Sequence, residues 1–370
     1  EELEYTKNFD IRIWKRVLPF LKPFKKTVAV IVIFNLTCSL VDIAMPLFQR
    51  YAIDTFIEQK TLDGIWKFGL VYFLVVGFQF LSVVLFTRGS ASLEMYLGKT
   101  MKRACFVHLQ ELSFSYYNVT PVGYILSRVM SDTDRIAGMV AWNLTDMMWA
   151  LVYVLGVFAA MLALNWKLAL IIMSIVPALA VLTWYFQNKI LRWNRKVRKI
   201  NSRITSGYNE GIMGAQTSKT LVIEEKNLGE FQEVTEEMRT AAIRAARLSA
   251  VYVPLVLFCG SLATAIVVGK GGQMVLDNLL MIGTLSAFTS YAVGIFEPIQ
   301  QLARNLAELI SIQANIERVT TLLDQKPTVK DSPEVVEKYG DTFHPKKENW
   351  EPIRGDIEFQ DVSFRYPDGK

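Results

Sequence analysis

Phe68–Thr87 reads FGLVYFLVVGFQFLSVVLFT, an unbroken stretch without one charged side chain. A helix of roughly 20 apolar residues spans the ~30 Å hydrocarbon core of a bilayer. One such stretch is equally a buried helix of a soluble protein. Five others share the pattern: Thr27–Gln49, Met147–Trp166, Leu168–Asn188, Leu248–Gly269 and Asn278–Phe296. Only Asp42 places a charge inside any of the six. Six stretches in one chain exclude the soluble reading and predict six membrane spans.

The connections predict the topology. Loops 88–146 and 189–247 are long and equal in length, whereas loops 50–67 and 270–277 are short and Lys167 alone joins the middle pair. The long loops therefore share one side with both termini. That side carries most of the 40 Lys and Arg residues: seven in the N-terminal tail, six and twelve in the long loops, and ten in the C-terminal tail. Cytoplasmic loops concentrate such charges, so both termini are expected to be cytoplasmic in a multi-pass protein of the cell membrane. The stretch 1–26 contains no apolar core segment, so no cleavable signal peptide is expected. The absent initiator Met suggests a trimmed or edited terminus.

Metal and disulfide chemistry find no support. Cys38, Cys105 and Cys259 lie far apart, and of His108 and His344 only the former is near a cysteine. No nucleic-acid partner is expected. The sequons at Asn118 and Asn143 fall on the cytoplasmic side or its edge, so glycosylation is not expected.

The long loops read as helices. Leu97, Met101, Cys105 and Leu109 recur every fourth residue. A loop of this length, running out and back as two helices, projects roughly 35–40 Å beyond the membrane. The first tip lies in SYYNVTPVGYILSRVMSDTDRI (Ser115–Ile136), where Pro121 and Gly123 break helix. Tyr116 and Tyr117 there either form a knob for a socket on another domain or pack between the loop helices. The second tip lies in YNEGIMGAQTSKTLVIEEKNLGEF (Tyr208–Phe231), where Gly211 and Gly214 allow close backbone approach beside Glu210 and Lys219.

These residues resemble the transmembrane half of a type I ATP-binding cassette (ABC) exporter, over the whole chain. The first loop of that family carries paired aromatics, Gly, Ser-Arg and Asp-x-Asp, matched by Tyr116, Tyr117, Gly123, Ser127, Arg128, Asp132 and Asp134. The second carries a Glu, Gly, Lys and Glu-Glu series, matched by Glu210, Gly214, Lys219, Glu224 and Glu225. Span six with Pro298, the helix 301–323 and ERVTTLLD (Glu317–Asp324) also match. The wording is most similar to multidrug-exporter half-subunits of Firmicutes, several of which are heterodimers. The resemblance implies an all-α polytopic membrane protein: six long transmembrane helices with two helical cytoplasmic protrusions, plus the first β-strand of a nucleotide-binding domain. It divides the chain into an N-terminal tail with an elbow helix (1–26), a membrane domain (27–324), a linker (325–354) and the start of a nucleotide-binding domain (355–370).

In that last segment, GDIEFQDVSFRYPDGK, apolar residues alternate with a one-residue slip at Gln360–Asp361. Tyr366 falls where the family stacks an aromatic ring on adenine; otherwise it is an edge-strand aromatic packing on its neighbours. ATP and Mg2+ are the implied cofactors, bound beyond Lys370. A phosphate loop needs G-x-x-x-x-G-K-[ST], and Gly98-Lys99-Thr100 offers only its last three letters. The chain is therefore not expected to hydrolyse ATP by itself.

The implied function is ATP-driven export of small amphipathic compounds by alternating access, in a dimer with a second half-transporter inside the lipid bilayer. Gly211, with Glu210, Gly214, Tyr116, Tyr117 and Gly123, would couple the spans to the nucleotide-binding domain. Polar and aromatic residues within spans are cavity candidates: Asn35, Asp42, Gln79, Trp149, Ser286 and Thr289, with Glu297 at the inner end of span six. An ionisable residue in a span marks a functional site by default. Asp42 either contacts a cationic substrate or pairs with Arg50, two turns away. Glu297 either contacts substrate or caps a backbone group freed by Pro298. Alternatives of other classes are a non-catalytic or regulatory membrane half, a lipid or peptide flippase, and a secondary transporter, for which the long protrusions have no use.

Overall fold

The computed structural model describes residues 10–352 and 355–363. Two short helices, α1 (Ile11–Lys15) and α2 (Leu18–Leu21), lead into α3 (Lys25–Ala52). The long helices that follow are α4 (Ile65–Glu111), α6 (Val122–Leu164), α7 (Trp166–Met213) and α9 (Glu224–Leu276). Between them lie two short helices, α5 (Phe114–Val119) and α8 (Ala215–Leu221). The chain then continues through α10 (Ile282–Gly294), α11 (Phe296–Leu323) and α12 (Pro333–Tyr339).

Five of these helices are long and apolar enough to cross a membrane: the one containing α3, then α4, α6, α7 and α9. Each buries few of its apolar residues within the chain; Phe73 and Phe80 on α4 stay largely exposed. Such faces suit lipid, where all backbone polar groups are satisfied inside the helix. The molecule is a multi-pass membrane protein.

The sixth expected span differs. Instead of running 278–296, α10 begins at Ile282 and stops at Gly294. Asn278 takes a left-handed backbone, φ 56°, which turns the chain before α10 begins. At the other end, the Pro298 ring crowds the carbonyl four residues before it, that of Gly294, and donates nothing to it. The helix breaks at Ile295 and restarts as α11. Pro46, Pro177 and Pro254 sit inside helices that run on past them.

The single-residue link is a cap. Asn165 leaves helical geometry (φ −159°), and its side-chain oxygen accepts from the backbone N–H groups of Lys167 (3.1 Å) and Leu168 (3.2 Å). That satisfies two orphan donors at the start of α7. On the same side of the bundle α10 is clamped to the end of α3. Gly283 N–H donates to Asp54 Oδ1 at 2.7 Å, and a Cβ at Gly283 would lie 2.4 Å from the Arg50 carbonyl oxygen.

Two apolar cores organise the helices. One, around Val157, Met161, Leu168, Ala263, Phe288 and Tyr291, joins the membrane portions of α6, α7, α9 and α10. The other joins α4, α6 and α11 outside the expected spans, and includes Leu97, Met101, Cys105 and Leu109 with Ile136, Ile316 and Val319. The fourfold spacing in the first loop thus marks a real packing face. The stems that leave the membrane are continuous helix: α4 runs on from Thr87 to Glu111, and α7 from Asn188 to Met213. At 1.5 Å per residue each stem is roughly 36 Å long.

The segment 355–363 forms no strand: Ile357, Phe359 and Val362 are largely exposed. A lone strand leaves its backbone groups unpaired, and none of the described residues supplies a partner. Asp361, at the expected slip, does take a left-handed φ of 48°. Tyr366 lies outside the described residues.

Candidate functional site

At the first tip, α4 ends at Glu111 and α5 carries the tyrosine pair. The two rings meet edge to face, 5.6 Å apart at 84°. Tyr116 packs against the core of the protrusion, and its hydroxyl is buried without a hydrogen-bond partner among the described residues. Tyr117 donates from its hydroxyl to the Leu109 carbonyl (2.5 Å), which ties α5 back to α4. Tyr116 is thus half-buried against the protrusion. The apolar surface of the tip comes instead from Phe114, Val119 and Val122, respectively 87%, 80% and 76% exposed. Sequence reading missed these three, because so short a helix shows no periodic pattern. Gly123 faces open space.

Behind this tip the Asp-x-Asp residues bind helices together. Arg318 on α11 grips Asp132 with two hydrogen bonds, 2.7 and 2.8 Å, and also donates to Asn315 at 2.5 Å. Lys102 on α4 pairs with Asp134 at 2.7 Å. Arg128 is buried with its guanidinium over the Tyr124 ring, 3.8 Å from the centroid. The chain leaving α11 then runs beneath the tip. Thr328 and Val329 donate their N–H groups to Ser113 Oγ at 2.9 and 3.1 Å.

At the second tip, α7 closes with Gly214 N–H donating to the Glu210 carbonyl at 2.8 Å. A Cβ at Gly214 would lie 2.8 Å from that same oxygen. After α8, Val222 takes a left-handed φ of 53° and α9 begins. Ile212, Met213, Leu221 and Val222 form an exposed apolar cap around it. Glu210 and Gly211 are exposed on the last turn of α7 and help to line an open cavity of about 590 Å³. Tyr208 and Phe231, 4.8 Å apart edge to face, also line it.

Within the spans, three cavity candidates meet. Asp42 on α3 accepts from Gln79 Nε2 on α4 (2.7 Å) and from Trp149 Nε1 on α6 (3.0 Å). Trp149 stacks on Tyr153 at 5.4 Å and 18°. Arg50 pairs with Asp54 (3.4 Å), so Asp42 has no cationic partner among the described residues. An ionised carboxylate offers about four acceptor sites, and two neutral donors leave some of them open.

The other candidates separate. Ser286 accepts from Gln49 Nε2 at 3.0 Å, and Ser290 donates to Gln49 Oε1 at 3.3 Å. Thr289 donates into its own helix, to Leu285. Asn35 is buried with its Oδ1 unpartnered among the described residues. Glu297 is exposed in the first turn of α11. Gln49 was not singled out from the sequence, although its position gave a signal. Asn35, Asp42 and Gln49 recur every seven residues, which places them on one helix face.

Residues 28–299 match the family model for the ABC transporter transmembrane region. This chain belongs to that family. The chain is 26% identical over 360 residues to the Bacillus subtilis ABC transporter ATP-binding protein YknV, itself named as uncharacterized; the match covers 96% of the chain and 57% of YknV. It is 25% identical over 367 residues to YgaD of the same organism, whose name records a predicted multidrug export ATP-binding/permease role (97% and 61% covered). It is also 25% identical over 365 residues to the ATP-dependent lipid A-core flippase of Desulfotalea psychrophila (96% and 59% covered). The chain spans about three fifths of the length of these relatives.

Proposed function

We propose that this chain is the membrane half of an ATP-driven exporter of small amphipathic compounds, with domains bounded as the sequence suggests. The observation that carries this reading is the pair of tips. Two stems, each roughly 36 Å long, end in tips that present apolar residues: Phe114, Val119 and Val122 at one, and Ile212, Met213, Leu221 and Val222 at the other. Exposed apolar clusters of this kind mark interaction sites. The chain leaving α11 is hydrogen-bonded to the first tip through Thr328 and Val329.

In this reading the tips seat on nucleotide-binding domains that hold ATP and Mg2+. Their closure moves the stems as rigid bodies and turns the cavity from inward- to outward-facing. A second half-transporter completes the cavity, α10 with α11 serves as the sixth span, and both termini are cytoplasmic. Asp42 supplies the charge that recognises a cationic amphipath, with Trp149 and Tyr153 as its aromatic wall.

The experiment is transport per ATP hydrolysed, measured on the full-length protein in vesicles. Gly214→Trp is expected to leave ATP hydrolysis running while transport falls, because no Cβ fits beside the Glu210 carbonyl. Asp42→Asn is expected to lower transport of a cationic amphipath but not of a neutral one. Unchanged coupling in Gly214→Trp would remove the tip assignment. Equal losses for both cargoes would remove the role of Asp42.

A further inference from the structure

Where α7 and α9 pass the expected membrane boundary, they enclose a pocket that the coupling reading does not use. Its volume is about 760 Å³, and five cations line it: Lys189, Arg192 and Lys196 from α7, and Arg244 and Arg247 from α9. On α7 the spacing 185, 189, 192, 196 is that of a single helix face. One end of the pocket is apolar, formed by Phe186, Leu248 and Val251. Lys189 and Lys196 stand two turns apart, roughly 10 Å along the helix. A headgroup layer beside the ~30 Å core is roughly 5–8 Å deep, so the membrane-proximal part of this row falls within it.

Nearby carboxylates do not balance this charge. Glu237 takes Lys196 at 3.2 Å and Arg203 at 2.7 Å, and those two cations hold its carboxyl below the usual range. Lys189, Arg192, Arg244 and Arg247 have no carboxylate in ion-pair contact among the described residues. Aromatic rings hold two of them instead. Lys189 Nζ sits 4.4 Å from the Tyr185 centroid and donates to its hydroxyl at 2.5 Å, and the Arg244 guanidinium lies 4.9 Å from the Trp193 centroid.

A merely solvated basic face would need no such shape. Arg195, Arg198 and Lys199 carry the same charge on the same helix and lie outside the pocket. What distinguishes this cluster is that cations stand over an apolar floor at the boundary of the bilayer. The cations offer charge to a phosphate, and Phe186, Leu248 and Val251 offer apolar surface to an acyl chain. Basic pockets at the cytoplasmic ends of membrane helices recognise anionic headgroups.

We propose that this pocket binds the phosphate of an anionic phospholipid in the adjoining leaflet, with its acyl chain on the apolar floor. The proposal rests on α7 and α9 crossing the membrane, and not on ATP-driven transport.

Trp193 provides the probe. The full-length protein and its Trp193→Phe variant are reconstituted in phosphatidylcholine vesicles doped with either brominated phosphatidylglycerol or brominated phosphatidylcholine. The difference between their emissions isolates Trp193. Brominated phosphatidylglycerol is expected to quench it more strongly, and this preference should fall roughly fivefold for each cation removed. The variants are R247Q alone and R192Q/R244Q/R247Q. Quenching by brominated phosphatidylcholine should be unchanged in both, which shows that they fold and insert. Equal quenching by the two lipids in the unmodified protein would overturn the proposal, as would a preference that survives R247Q and the triple variant alike. Reversal by inorganic phosphate in the aqueous phase would assign the pocket to a soluble anion and overturn the lipid. Absence of quenching by both lipids would place Trp193 away from the bilayer and overturn the membrane placement of α7 as well.

Discussion

Replacing Asp132 with Asn removes one half of the ion pair that joins α6, in the first protrusion, to α11. The pair is bidentate, and the two side chains are 3% and 24% exposed for Asp132 and Arg318 respectively. Removing one partner of a buried pair costs about 3–5 kcal/mol, because the other charge is left without its counterpart in a poorly hydrated place. The two single variants should differ within that range. Asp132→Asn leaves a guanidinium that is a quarter exposed to water and still donates to Asn315, so it falls near the lower end, about 3 kcal/mol. Arg318→Met strands a carboxylate that is almost dry, so it approaches about 5 kcal/mol. The double variant, which buries no uncompensated charge, should be much less destabilised than the sum of the two. The assay is a double-mutant cycle on unfolding in mixed micelles with increasing denaturing detergent, followed by tryptophan fluorescence. Additive losses, or a larger loss for Asp132→Asn than for Arg318→Met, would refute this reasoning.

Two further outcomes follow from local geometry. Gly283→Ala places a Cβ 2.4 Å from the Arg50 carbonyl and from Asp54 Oδ1, so α10 must move away from α3; a loss of about 1–3 kcal/mol is expected in the same unfolding assay. Glu237 bridges the stems of α7 and α9 with its carboxyl held below the usual carboxylate range, first by Lys196 and then by Arg203. A depressed carboxylate stabilises the folded form above its unfolded pKa, and that contribution disappears as the pH falls through the folded value. Amide exchange in the stems should therefore accelerate below about pH 4.5 relative to a Glu237→Gln control, and equal acceleration in the control would contradict the assignment.

The sequence was legible where a pattern repeats and opaque where contact decides. The apolar spans and the fourfold spacing from Leu97 to Leu109 repeat over many turns, and a helix face is the only arrangement that uses them. The break at Ile295 depends on a single proline acting one turn upstream, and hydropathy averaged over a whole span hides it. Asp42, Gln79 and Trp149 could be chosen singly as polar residues in apolar surroundings. That they meet, while Ser286 turns to Gln49 and Thr289 to its own helix, depends on how three helices rotate about their axes. The same limit explains Tyr116, whose ring packs inward although the neighbouring Phe114 points out. The alternating segment 355–363 shows the converse case, a legible pattern whose burial depends on a partner strand.

The central claim is that the two tips seat on an ATP-binding part of the full-length protein. Cysteines introduced at Phe114 and Met213, in a background with Cys38, Cys105 and Cys259 replaced, test it by cross-linking in inside-out vesicles. Links from both positions to the ATP-binding part are expected, changing in yield when nucleotide is added, with none from a cysteine at Leu70, exposed within the apolar span of α4. Absence of links from both tips, or equal yields from Leu70, would contradict it.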